Sequence, residues 1–119
     1  VGDYGSQGGG AAGEEIDRLD QALGSPPHAI CIASSENHRP GMLRVTEEIH
    51  MSQLELQGPK VRADMVFFET PSGGAVFSTG SISYAGSLAH NDFDNDIARI
   101  TGNVLKRFLD ETPFAYPSE

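Results

Sequence analysis

The chain lacks tryptophan altogether and has one cysteine, Cys31, and its 8 basic residues are outnumbered by 17 acidic ones. A single cysteine excludes an intrachain disulfide and fits a reducing compartment, so a cytoplasmic protein is expected. The formal net charge of −9 argues against non-specific nucleic-acid binding and against docking on anionic membranes, both of which draw on basic surface. No apolar run reaches the ~18 residues that a membrane span requires, and no basic segment followed by an apolar core opens the chain as a signal peptide does. The first residue is Val1 rather than methionine, which points to processing or to a piece of a longer polypeptide. Chemistry-bearing motifs are also scarce. His28, His38, His50 and His90 show no HxxxH or HxH spacing and have no cysteine pair beside them, so no zinc motif is supported. Ser81–Tyr84 is not a GxSxG elbow, and no phosphate-binding GxxxxGK[ST] loop occurs. There is no internal repeat.

What is present is glycine, 14 residues of it among 119, and a few strongly patterned segments. This length supports one domain at most. Residues 1–13 read as a Gly-rich loop. The abrupt change to EEIDRLDQAL predicts a helix: Ile16, Leu19 and Leu23 fall at helical spacing, and Glu14, Glu15 and Asp17 complement the dipole of its first turn. Gly24 and Pro26-Pro27 end it. His28–Ala33 is a short apolar run with β-branched residues and reads as a buried strand, which makes Cys31 a core thiol rather than a nucleophile. Ser34–Gly41 reads as a loop. Leu43, Val45, Ile49 and Met51 alternate and favour a strand, followed by a turn over Leu56–Lys60.

Val61–Glu69 is the clearest strand, and the uniformly apolar Met65–Phe68 predicts cover on both faces. Thr70–Gly74 supplies a turn through Pro71, Gly73 and Gly74, and Ala75–Thr79 returns. A loop over Gly80–Asn91 leads to an amphipathic helix from about Asp94 to Leu109. Its stripe is Ile97, Ile100, Thr101, Val104, Leu105, Phe108 and Leu109. Asp92 or Asp94 is its expected cap, Lys106 and Arg107 suit its end, and Gly102 suggests close packing on the sheet. Residues 110–119 form an irregular tail.

The first candidate site is GGAAGEEIDR. Backbone N–H groups around Gly10 and Gly13 can form an anion-binding concavity, and a following helix N-terminus would strengthen it. Glu14 or Glu15 can orient a water or move a proton; the alternative is that both merely cap a surface helix. Asp17 and Arg18 are adjacent and so do not pair with each other on a helix. Arg18 is expected in a structural ion pair. His90 lies on a loop before a helix, where functional groups gather. His28 is expected at the sheet edge. Glu69 ends the strongest strand, where it can serve either a site or the turn beside it.

These phrases, with LGSPPHAICIASSE, ADMVFFETPSGGAVFSTG and NDFDNDIARITGNVLKRFL, run in an order that resembles the C-terminal region of the N,N-dimethylformamidase large-subunit family, over Gly8–Phe114. The resemblance implies an α/β fold, a glutamine-amidotransferase-like sheet portion ending in a β-hairpin and amphipathic helix. It implies an amidohydrolase of small N-substituted formamides with a mononuclear iron held by two tyrosines and a glutamate. Iron of this kind acts as a Lewis acid that activates water. Tyr4, Tyr84 and Tyr116 match no ligand phrase, so no metal residue is assigned here and the iron ligands are expected upstream. Glu15, in GAAGEEIDR, is the position the resemblance marks as an acid or base near the iron, and SISYAG departs from relatives that carry Trp or Cys there. Two functions follow as expectations. One is the C-terminal part of an amidohydrolase subunit, inactive alone and completed by upstream sequence, with a homo-oligomer or the remainder of a larger subunit as its partner. The other is a non-catalytic interaction module.

Overall fold

The computed structural model describes residues 1–5, 10–38 and 60–117. The strand expected around Leu43–Met51, the turn from Leu56 to Pro59, Gly8, Gly9 and His50 lie outside the described residues. The described part is a small α/β unit. Strand β1 is Ile30–Ser35, β2 is Ala63–Glu69, β3 is Ala75–Ser78, and helix α1 is Asp96–Leu109. The three strands form one antiparallel sheet in the order β1-β2-β3. No helix among the described residues is long and apolar enough to cross a membrane.

The β2–β3 hairpin forms as its sequence dictates. Thr70 N–H donates to Gly74 O at 2.8 Å and Gly73 N–H to Thr70 O at 3.1 Å. Gly73 takes φ of 84°, which costs a residue without a Cβ little. The register then pairs Phe67 with Phe77 and Phe68 with Val76. On its other side β2 pairs with β1, placing Ile30 opposite Phe67 and Ser34 opposite Asp64, with a bulge between Cys31 and Ala33.

Helix α1 starts two residues later than the pattern predicts, and its cap is Asn95 rather than Asp92 or Asp94. Asn95 accepts from Ala98 N–H at 2.9 Å while its amide donates to Leu88 O at 2.9 Å and His90 O at 2.6 Å. A carboxylate can accept but cannot donate, so only the amide satisfies both sides. Ile97 is 1% exposed and anchors a core cluster with Ala11, Met65 and Tyr84. The far end of the stripe is not covered: Leu105 and Leu109 are exposed. Gly102 has open space where a Cβ would stand, so it is not a close-packing contact. The C-terminal segment returns across the hairpin, where Phe114 packs on Phe67 and Phe108 and under the Arg107 guanidinium.

Two further sequence expectations differ from the structure. Glu14–Leu23 is not a helix. Asp17 N–H donates to Gly80 O and Asp64 N–H to Asp17 O, both at 2.9 Å, and Ile16 is buried with Val61 and Ala63. Pairing with β2 thus draws this segment into extended form against its local helical spacing. Only Gln21–Leu23 makes a single tight turn, capped by Asp20 and closed by Gly24 at φ 103°. The second correction concerns β1, which is not a buried strand: Ile30 and Ile32 are 56% and 51% exposed, and Cys31 is exposed with them rather than a core thiol.

Candidate functional site

The Gly-rich segment folds into a short turn, Gly10–Ala12. Gly10 is buried at φ 68°, and a Cβ there would collide with the Gly2 carbonyl; Ala11 N–H donates to that same carbonyl at 2.8 Å. The chain then passes through Gly13, which is buried, and the half-buried Glu14 to Glu15, which is exposed. No helix follows Gly13, so the dipole argument for an anion site at Gly10 and Gly13 does not apply; only the turn's own N–H groups remain for that role.

Glu15 has φ of 46°, the left-handed region that a residue with a Cβ occupies at a cost of about 1–2 kcal/mol. The backbone on both sides is fixed. The Ser81 hydroxyl donates to the Glu14 carbonyl, Ile16 is 4% exposed in the second core cluster, and Asp17 is pinned to Gly80 and Asp64. Among the described residues the Glu15 carboxylate makes no hydrogen bond or ion pair of its own. Among the described residues it is an unpaired carboxylate side chain on a strained backbone held at both sides.

Beneath this segment lies a polar knot that periodicity does not reveal. Asp64, 2% exposed, accepts from Leu19 N–H at 2.9 Å, from Ser34 Oγ at 2.7 Å and from Arg62 Nε at 2.8 Å. Arg62 in turn donates to Leu19 O at 3.0 Å. One carboxylate therefore ties β1, β2 and the Ile16–Leu19 segment together. The available signal was an acid inside the apolar run ADMVFF, a type seldom buried unless paired. Arg18 bonds Asp20 at 2.7 Å, the structural ion pair expected of it, and that guanidinium holds the Asp20 carboxyl below its ordinary pKa.

His90 is exposed and lies face to face on Tyr4, with ring centroids 4.2 Å apart. Tyr4 Oη donates to Asn95 Oδ1 at 3.3 Å and accepts from Asp96 N–H at 3.0 Å. Asn91, Asp92 and Phe93 are all left-handed, a run of non-glycine residues that positions His90 just before α1. Among the described residues no hydrogen bond or ring contact joins Glu15 to His90. His28 sits at the sheet edge as expected, its Nε2 3.0 Å from Glu69 O, with its ring edge-on to Phe68 and Tyr116.

A cavity of about 450 Å³ opens on the β1 side of the main core, with Asp3, Ala33, Ser34, Met65, Tyr84 and Ile97 in its wall. No group of three or more His, Cys, Asp or Glu side chains that could hold a metal occurs among the described residues. Tyr4 packs beside the core cluster that holds Tyr84, but each tyrosine is engaged elsewhere: Tyr4 on His90 and the start of α1, Tyr84 on Thr101 at 3.0 Å, Tyr116 on His28. Among the described residues no glutamate joins two of these tyrosines, so they do not form the two-tyrosine, one-glutamate iron set that the resemblance implies.

The sequence profile of the family described as N,N-dimethylformamidase beta subunit-like, C-terminal, matches residues 2–96. The chain belongs to this family. It is 42% identical over 116 residues to the N,N-dimethylformamidase beta subunits of Alcaligenes sp and Paracoccus aminophilus. Those alignments cover 95% of this chain but 15% of each relative. The matched residues span the Gly-rich turn, Glu15, the Asp64 knot, the hairpin and the His90 loop.

Proposed function

We propose that this chain is the C-terminal part of an amidohydrolase that cleaves small N-substituted formamides to formate and amine, and that Glu15 is its acid–base residue. The observation that carries this reading is the Glu15 backbone: a left-handed, exposed acid whose flanking residues are all tied down. Strain of this kind persists only where surrounding structure over-determines it, and it gathers at functional sites. The resemblance around GAAGEEIDR points to the same residue. In amide hydrolysis a carboxylate takes a proton from the attacking water and returns it to the departing amine nitrogen. Iron, if the resemblance carries over, is held by residues outside this chain, and the three-stranded sheet belongs to a larger glutamine-amidotransferase-like sheet. The open side of β1 then packs against the remainder of that larger subunit.

The test is a chimaera in which this chain replaces the matching 116 residues of the Paracoccus aminophilus subunit, assayed on N,N-dimethylformamide. Glu15→Gln is expected to lower kcat by roughly 10²–10⁴ with an unchanged melting temperature. Normal turnover in that variant removes the assignment.

A second reading, a non-catalytic assembly module, draws on the apolar side chains left exposed on β1 and α1. Exposed apolar surface marks interaction sites where it is contiguous. Sedimentation of the isolated chain separates the two: self-association of a chain whose chimaera is insensitive to Glu15→Gln supports the module, and a compact monomer argues against it.

A further inference from the structure

We infer that Ser81 is a positioning residue for Glu15, setting the aim of its carboxylate through the backbone; this rests on the acid–base reading of Glu15 given above. The Glu15 side chain has no anchor of its own among the described residues, so the direction of its carboxylate is set by the main chain. That main chain sits in a left-handed well at φ 46°, which a glutamate leaves readily unless it is held. On the downstream side the holding is backbone to backbone: Asp17 N–H on Gly80 O and Asp64 N–H on Asp17 O. On the upstream side Ser81 supplies it, since its hydroxyl donates to the carbonyl of Glu14, 67 residues away in sequence.

Ser81 is built for this contact. It is 8% exposed, its backbone is extended at φ −160° and ψ 142°, and its oxygen also accepts Ser83 N–H at 3.2 Å. The hydroxyl is thus oriented by one bond and spends its single proton on the other. Gly80, its neighbour, is itself left-handed and lies flush against the Asp64 backbone, so Ser81 cannot drift along the chain. Removing the hydroxyl frees the peptide that precedes Glu15 and lets φ relax, which swings the Cβ and the acid with it. Substrate contacts elsewhere are untouched.

In the same chimaera Ser81→Ala is expected to lower kcat by about 10- to 100-fold, the loss that an ångström-scale misplacement of a catalytic group brings. KM should stay within about twofold, because only interactions realised in the transition state are lost. Ser81→Thr keeps the hydroxyl and suits an extended backbone, so it should restore kcat. If Ser81→Ala does not fold, Ser81→Cys serves in its place with the same expectation. Wild-type kcat in Ser81→Ala while Glu15→Gln is inactive overturns the positioning role alone. A loss that threonine does not restore, or one shared equally by KM, also overturns it by marking Ser81 as merely structural. Normal turnover in Glu15→Gln overturns both readings together.

Discussion

At the residue scale the strained backbone of Glu15 sets stability against function. Glycine occupies the left-handed region without penalty, so Glu15→Gly should be at least as stable as the wild type, by up to about 1 kcal/mol in urea unfolding, while the chimaera loses turnover. A drop in stability would show instead that the side chain stabilises the fold. Asp64 behaves oppositely. Its carboxylate is the hub of Ser34, Leu19 and Arg62, and removing one partner of a buried pair leaves the others unsatisfied, so Asp64→Ala should cost about 3–5 kcal/mol. Desolvation of the sulfur, and the nearby Asp64 charge after it, push the Cys31 thiol above its ordinary pKa. Although exposed, Cys31 is then a thiol and not a thiolate at neutral pH, and its alkylation should stay slow until the medium is more alkaline than a free cysteine requires. Equal rates for Cys31 and free cysteine at pH 7.5 would contradict this. Glu15 stands out in the sequence through its phrase, but its left-handed backbone does not; Asp64 and Ser81 do not stand out, because their importance lies in bonds to residues 30 and 67 positions away, a separation that no local pattern reports.

At the level of elements, what the sequence revealed were the pieces held together by neighbours in sequence. The β2–β3 hairpin follows from its own turn residues, and α1 from a stripe of period 3.6 with basic residues at its end. Where distant partners decide, local pattern misleads. The helical spacing of Ile16, Leu19 and Leu23 is real, but the main-chain bonds to Gly80 and Asp64 satisfy the same groups and bury Ile16 as well, so the extended form wins. The cap of α1 falls on Asn95 rather than on an acid for a different, local reason: its amide also donates to Leu88 and His90. Asn95→Asp should keep the helix cap and lose those donations, and Asn95→Ala should lose both. Unfolding by urea should therefore rank wild type above Asn95→Asp above Asn95→Ala, the last by at least ~1 kcal/mol. Equal losses would mean the cap alone matters. Gly102 gives the converse test. With open space at its Cβ position, Gly102→Ala should stabilise the chain by about 0.5–1 kcal/mol.

For the molecule as a whole, the decisive quantity is the 15% of each relative's length that this chain matches, set beside the distribution of its apolar surface. The core on the α1 side of β2 is closed around Ile97, Met65 and Tyr84. On the β1 side it opens into the cavity, with Ile30 and Ile32 more than half exposed. An isolated chain gains nothing from such side chains, whereas burying one fully contributes roughly 1.5–3 kcal/mol, so their presence is explained if the remainder of a larger subunit covers them. Ile32→Lys separates the two situations. In the isolated chain it should leave stability within about 0.5 kcal/mol, as an exposed substitution does, and should reduce self-association. In the chimaera the same lysine would have to enter an apolar contact without a partner, a desolvation that proteins avoid at several kcal/mol, so the yield of assembled enzyme should fall steeply. An Ile32→Lys chimaera that assembles and turns over normally would place β1 in solvent even in the full-length subunit, and its apolar side chains would then need another explanation.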